Sequence, residues 1–307
     1  MKIVIVGAGA MGSLLGSYLS KHNDVILVDI WEDHVNAINK NGITVDEKDG
    51  TSWTAKPKAF TSSQNLGQAE LLVLFVKSVQ TYDALKLHQS LIGPHTVVLS
   101  LQNGFGNAED IQQFVNENHT IIGTTSHGCT MLGPGHIKHA GSGPTHIGAM
   151  GRDQEKADQV AKVLNESGFE TDVKENVLTL VWDKLFVNVG INAITTVLQR
   201  PNQVIAENPE AKKLSHMLVK EAVNVANARG ESFEAENVFR NVLKVSQATG
   251  ENHSSMFADF EHKRKTEILK INGAIVQEAE KAGMKAPYNE LMTAIVSAIE
   301  AEYSSNK

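Results

Sequence analysis

The spacing of apolar positions changes partway along the chain. From residue 2 to about 175, short β-branched runs alternate with stretches whose apolar residues recur at helical spacing, the pattern of a parallel sheet covered by helices. Strands are predicted at Lys2 to Val6, Val25 to Asp29, Leu71 to Lys77, Thr96 to Gln102 and Thr120 to Thr124. Met11, Leu14, Leu15, Tyr18 and Leu19 keep helical spacing, as do the segments near 32 to 40 and 105 to 115. Residues 127 to 148 are rich in Gly and short alternating runs, so they read as hairpin strands extending the sheet at one edge. Beyond about 176 only helical periods remain, around 176 to 198, 209 to 229, 233 to 248, 255 to 282 and 287 to 303. The expected architecture is α/β: an N-terminal doubly wound Rossmann domain over 1–175, then an all-α helical domain over 176–307, with a cleft between two directly packed halves.

Where the first strand meets its helix, the residues Gly7, Ala8, Gly9, Ala10, Met11 and Gly12 form G-x-G-x-x-G. In that context the glycines allow a tight turn, close approach of backbone to a pyrophosphate and close helix-to-strand packing, and the helix N-terminus faces the phosphates. Asp29 closes the second strand, where a carboxylate accepts hydrogen bonds from the adenosine ribose hydroxyls; capping of the following helix is compatible with that role. A 2′-phosphate would be repelled there, and Ile30 to Asn39 contain no Lys or Arg to neutralise it, so NAD(H) is expected over NADP(H).

In VWDKLFVNVGINAITTVL, Lys184, Asn188 and Asn192 are spaced i, i+4, i+8 and share one face of a helix that is otherwise apolar. The stripe either lines a pocket, where the lysine polarises a keto oxygen and delivers a proton, or is a snorkelling lysine with packing amides. Spacing leaves both open. Glu267 lies in SSMFADFEHKRKTEILKING, which the neighbouring charges mark as a mostly solvated helix face. Ser254 and Ser255 at its start suit an N-cap or a donor to a substrate carboxylate. His127, His136, His139, His146 and Cys129 match no closed zinc spacing, so no metal site is expected.

Composition narrows the classes. With 307 residues and 41% hydrophobic content there is material for more than one core. A net charge of −7 without a Lys/Arg stripe argues against nucleic-acid binding. Cys129 is the lone cysteine, which excludes an intramolecular disulfide and fits a reducing, cytoplasmic setting. The glycine-spaced N-terminus does not read as a signal peptide, and no stretch reads as a membrane span. Oligomeric state is undecided by any sequence feature; a homodimer is compatible with the chain.

Taken jointly, GAGAMG, VKSVQ with SLQNGFGN, GTTSHGCTMLGPGHIKHAGSG, and the pair WDKLFVNVGIN and SSMFADFEHKRKTEILKING resemble the ketopantoate reductase family (2-dehydropantoate 2-reductase) over essentially the whole chain. The resemblance implies reduction of the 2-keto group of 2-dehydropantoate to (R)-pantoate, on the route to pantothenate, in the groove between the domains. It places the catalytic lysine on Lys184 and the catalytic glutamate on Glu267, with Asn188, Asn192 and Ser255 as substrate-binding positions. It also implies that Asn103 orients nicotinamide and substrate, and that Lys77 and Gln80 lie along the cofactor cleft. Family members commonly use NADPH with a cation after the second strand, whereas this chain has Asp29, Ile30 and Trp31 there. The lysine motif reads W-D-K, so Asp183 is expected to pair with or reposition a neighbouring cation. Two other readings are carried: an NAD-dependent D-2-hydroxyacid dehydrogenase acting on branched or aromatic 2-keto acids, and a non-catalytic dinucleotide-binding redox sensor. The intact set of Lys184, Asn188, Asn192 and Glu267 argues against the sensor.

Overall fold

The computed structural model describes residues 1–305. The chain divides into two compact units. One comprises Met1–Gln102 and Asn107–Leu180; the other comprises Asn103–Gly106 and the chain from Val181 onward.

The first unit begins β1 (Lys2–Val6), α1 (Ala10–Leu19), β2 (Asp24–Val28) and α2 (Glu32–Asn41), then β3 (Ile43–Asp46), β4 (Ser52–Ala55) and β5 (Lys58–Phe60). It continues with β6 (Leu71–Leu74), α3 (Thr81–Leu87), β7 (Val97–Ser100), α4 (Asn107–Gln112), β8 (Thr120–Thr125), β9 (Gly128–Gly133), β10 (His136–Gly141), β11 (Thr145–Ala149), α5 (Glu155–Glu166) and β12 (Thr171–Val173). Eight strands form one sheet in the order β12-β11-β8-β7-β6-β1-β2-β5, parallel throughout except where β11 runs antiparallel to β8. Strand order reverses between β1 and β6, which creates the switch point beyond whose carboxyl ends ligands bind in such sheets.

The central strands are apolar on both faces because both are covered. Ile3, Ile5, Val25, Leu27, Leu71, Val73 and Leu99 enter one core with Leu14, Leu15 and Leu19 of α1. The alternate residues Val4, Val6, Ile26, Val28, Leu72, Leu74 and Val98 enter the other with Leu85 and Ile111. Period-two side chains, each set buried under its own helices, make a one-residue register slip costly on both sides at once.

The structure departs from several of these expectations. The hairpin expected to extend the main sheet pairs elsewhere: β9 and β10 join β3 and β4 in a separate four-stranded sheet, order β4-β3-β10-β9, and only β11 enters the main sheet. Ile43, Val45 and Ile137 of the small sheet are buried with α1 in the first core, which is what holds it there. The third and fourth expected strands stop at Leu74 and Ser100, and the segment near 105 to 115 yields only the short α4.

The remaining elements are α6 (Val177–Leu198), α7 (Val204–Glu207), α8 (Pro209–Ala228), α9 (Ala235–Ala248), α10 (Ser255–Glu261), α11 (Asn272–Lys281) and α12 (Pro287–Ser305). α8 packs against α7, α9, α11 and α12. The helix expected across 255 to 282 is broken: α10 ends at Glu261, and a 3-10 turn at Ile268–Lys270 precedes α11. Side chains compete with the helix ladder in the break, since Thr266 N–H donates to Glu300 Oε1 at 2.8 Å and Ile268 N–H to Thr266 Oγ1 at 3.1 Å. Contrary to the expectation about membrane spans, the 22-residue α6 is long and apolar enough by length and composition to cross a bilayer, though over half of its most apolar window is buried in the protein. A core helix that is apolar nearly all round meets the same criterion.

Candidate functional site

The G-x-G-x-x-G turn joins β1 to α1. Gly7 has φ +96°, and a Cβ there would stand 2.5 Å from the Val76 amide nitrogen, so the turn lies against the chain leaving β6. A Cβ on Gly12 would fall 1.9 Å from the Gly7 carbonyl oxygen. At Gly9 it would meet nothing within 4 Å. Two of the glycines are thus demanded by the protein's own backbone, whereas the middle one opens onto unfilled space. Gly9 is also the N-cap of α1, with no side chain capping it and no acidic residue in the first turn. The N–H groups and positive dipole end there fit the pyrophosphate of a dinucleotide.

Asp29 is built into the same loop. Ala8 N–H donates to its Oδ2 at 2.6 Å and Trp31 N–H to its Oδ1 at 2.9 Å. The carboxylate therefore fixes the first peptide of the glycine turn and the chain entering α2. Beside it Ile30 is 85% exposed, so no cation occupies the first position after the aspartate. Lys77 is half-buried where the chain turns into the 3-10 segment Ser78–Gln80, and Gln80 is exposed. Gln102, which sequence reasoning passed over, ties this region together: its Nε2 donates to Val76 O at 2.7 Å and it accepts from Ser100 Oγ at 2.7 Å.

The other predicted residues fall in the second unit. Lys184 lies one turn before half-buried Asn188 and two before buried Asn192 on α6. Lys184 is itself partly accessible, yet burial of its ammonium pushes its pKa down to about 8, against the opposing pull of the Glu267 carboxylate. Desolvation outweighs the pairing, so the lysine sits near the value at which a general acid is most useful at neutral pH. Glu267 departs from the expectation of a solvated helix face. It is 7% exposed, in the break after α10, at the start of the 3-10 turn. Asn103 is brought to the same unit by its loop: Phe105 N–H donates to Lys270 O at 2.8 Å, and the Phe105 ring packs on Trp182 with centroids 4.4 Å apart. A Cβ at Gly104, φ +85°, would lie 2.7 Å from Lys270 O.

The two serines divide their roles. Ser254 caps α10, accepting from Phe257 N–H at 3.1 Å, and lies 2.8 Å from Thr195 Oγ1 of α6. Ser255 is exposed. Asp183, expected beside a cation, instead has Glu231 as its charged neighbour; although the residue is exposed, partial desolvation of its carboxyl and then that like charge raise its pKa.

The histidines are engaged with carboxylates: His139 Nδ1 with Glu47 at 2.7 Å, His136 with Asp46 at 2.7 Å, and His146 with Asp172. His127 bonds to His139 at 3.0 Å. No group of three or more His, Cys, Asp or Glu side chains among the described residues is arranged to hold a metal ion. Burial pushes the Cys129 thiol up to about 12, which removes it from the reactive thiolates.

A doubly wound sheet with this glycine turn, followed in the chain by a helical unit bearing a depressed lysine beside a carboxylate, defines a dinucleotide-dependent oxidoreductase. Comparison with known proteins narrows the class. The family model described as ketopantoate reductase PanE/ApbA matches residues 3–152, and its C-terminal counterpart matches residues 176–300. The chain belongs to the ketopantoate reductase family. It is 37% identical to a 2-dehydropantoate 2-reductase of Pyrococcus abyssi, over 98% of each chain. Among solved structures it resembles D-mandelate dehydrogenase in ternary complex with NADH and anilino(oxo)acetate, with TM-score 0.93, 32% identity, and 99% of this chain and 100% of that one covered. A putative 2-dehydropantoate 2-reductase from Enterococcus faecalis aligns with TM-score 0.79 at 30% identity, over 99% of each chain.

Proposed function

We propose that this protein reduces the 2-keto group of 2-dehydropantoate to (R)-pantoate. The observation that carries the reading is the α6 lysine Lys184 facing the buried carboxylate of Glu267, in a chain similar end to end to 2-dehydropantoate 2-reductases. Residues Gly7 to Gly12, Asp29, Lys77 and Gln80 would hold a nicotinamide dinucleotide, which when bound supplies hydride to C2. Lys184 holds the proton at Nζ and donates it to the oxygen as negative charge develops there. Glu267 favours the cationic lysine and accepts a hydrogen bond from the substrate or from an ordered water. Asn188 and Asn192 bind the substrate's terminal hydroxyl or orient the lysine, Ser255 binds its carboxylate, and Asn103 orients the keto group. Ser254, already committed to capping α10, takes no part.

Asp29 supports NADH as the preferred donor, because a 2′-phosphate beside a carboxylate without a nearby cation is repelled. The test is steady-state oxidation of NADH and of NADPH by the purified protein, with ketopantoate, 2-ketoisovalerate and phenylglyoxylate offered separately. NADH-linked turnover of ketopantoate above the other two is expected. Better turnover of the substrates that lack the hydroxyl would move the chain to the D-2-hydroxyacid dehydrogenases. Absence of turnover with every pair would overturn the enzyme reading in favour of a sensor. Asp29→Ser should narrow the gap between the two dinucleotides by about tenfold, largely through loss of NADH affinity.

A further inference from the structure

His34 lies in the first turn of α2, fully buried, and belongs to no residue set that the proposed reaction uses. Its hydrogen bonds fix its protonation. The Gly135 N–H donates to Nδ1 at 3.0 Å. A peptide N–H can only donate, so Nδ1 carries no proton and the neutral ring bears its hydrogen on Nε2. Nε2 lies 3.1 Å from Ser13 Oγ and donates to it. The Ser13 hydroxyl in turn donates to Ala8 O at 2.7 Å. The result is a one-way chain of three hydrogen bonds from the tip of the small sheet's β9–β10 hairpin to the second peptide of the glycine turn, each donor polarised by the bond behind it.

The other end of Ala8 is held separately, by Asp29, and Asp29 also accepts from Trp31 N–H. The Trp31 ring stacks on His34, with centroids 5.1 Å apart and planes 13° from parallel. His34 therefore touches both features that grip Ala8: Ser13 through its edge, and the residue following the Asp29 turn through its face. Burial lowers its pKa, with the Asp29 charge and a backbone hydrogen bond to Ala8 opposing, which keeps the ring in the neutral form that the geometry requires.

We propose that His34, as the Nε2–H tautomer, is a positioning residue for the dinucleotide loop: with Ser13 it sets the orientation of the Ala8 peptide, and so the affinity for the nicotinamide dinucleotide. This role rests on the reading of the first unit as a dinucleotide site, and it goes beyond that reading by making a residue remote from the motif govern its affinity. Affinity falls when either bond leading from His34 Nε2 through Ser13 to Ala8 is cut, while turnover at saturating dinucleotide does not follow it down, because Lys184 lies in the other unit.

The experiment measures NADH dissociation constants by calorimetry, and KM and kcat with ketopantoate, for wild type and three variants. Ser13→Ala removes the two bonds that Ser13 makes, to His34 and to Ala8, with the least disturbance to the fold. His34→Gln keeps a donor where Nε2–H stands, and His34→Asn keeps only an acceptor where Nδ1 stands. Ser13→Ala and His34→Asn should weaken NADH binding about tenfold with kcat within about twofold, while His34→Gln should stay within about threefold of wild type. Equal binding by Ser13→Ala and wild type, or a His34→Asn that binds better than His34→Gln, overturns the proposal. An Nδ1–H pattern in long-range proton–nitrogen NMR spectra of His34 overturns it too, without recourse to activity. A wild-type protein that binds neither NADH nor NADPH would remove the dinucleotide reading itself, a failure visible before any variant is made.

Discussion

At the scale of single residues, the proposed chemistry turns on how far burial moves Lys184. Its folded-state pKa of about 8 lies below the 10.5 of a solvated lysine, because desolvation outweighs the attraction of Glu267. With Lys184 as the proton donor, keto reduction needs the ammonium, so kcat/KM for reduction should hold level below pH 8 and fall by about tenfold per pH unit above it. Oxidation of the hydroxy acid needs the free amine, so its rate should climb toward pH 8 and then level. Lys184→Arg stays charged at every accessible pH and cannot release the proton; turnover should drop at least about a hundredfold and the pH limb vanish. A reduction profile still flat at pH 9.5 in wild type would dismiss Lys184 as the acid. The lysine and its i+4 spacing to the amides were legible in the sequence, but its depressed pKa was not, since spacing carries no information on what surrounds an ammonium. Glu267 was legible only through family resemblance; its charged neighbours disguised a buried side chain as a solvated one.

At the scale of elements, two pairs of neighbouring residues separate architectural from ligand-directed roles. Gly12→Ala forces a Cβ to within 1.9 Å of the Gly7 carbonyl, so it should lower Tm as well as dinucleotide affinity. Gly9→Ala meets no protein atom and has an ordinary negative φ, so Tm should hold while NADH binding weakens about tenfold or more; unchanged affinity would argue that nothing approaches the loop there. Ser254→Ala removes the α10 cap and should destabilise by about 1 kcal/mol in denaturant unfolding. Ser255→Ala should leave stability alone and raise KM for the keto acid. Loss of substrate affinity from the first variant but not the second would reverse the assignment. The sequence marked both serines as candidates, and it could not rank them, because either can occupy the N-cap until Thr195 of α6 is seen beside Ser254.

For the whole molecule, a ligand that binds only the folded chain stabilises it by mass action. NADH at a hundred times its dissociation constant should add about 2.7 kcal/mol, and it should raise Tm more than NADPH at equal concentration. An equal or larger shift with NADPH would remove the specificity argument built on Asp29. The five central strands β1, β2, β6, β7 and β8 with the helices α1 and α2, the glycine turn, the helical second half and the lysine–amide stripe were legible in the sequence alone, because each is a local periodicity or a fixed spacing that survives without knowledge of its neighbours, whereas β3, β4, β5, β12, α3 and α5 were not read from it. What only the tertiary structure decided is long-range. The hairpin at residues 128–141 could have added to the main sheet; it pairs with β3 because Ile43, Val45 and Ile137 bury together against α1, a choice among edges that strand propensity does not make. The helix expected from 255 to 282 stops at Glu261, after which Lys263 turns left-handed at φ +52°, and Glu300, far along the chain, takes the Thr266 N–H outside any helix ladder. Nothing in the sequence of α2 singles out His34, which becomes the buried link between Gly135 and Ser13 only when segments 101 and 21 residues away fold onto it. Propensity and period are properties of a segment, whereas partner choice, burial and protonation belong to the assembled chain.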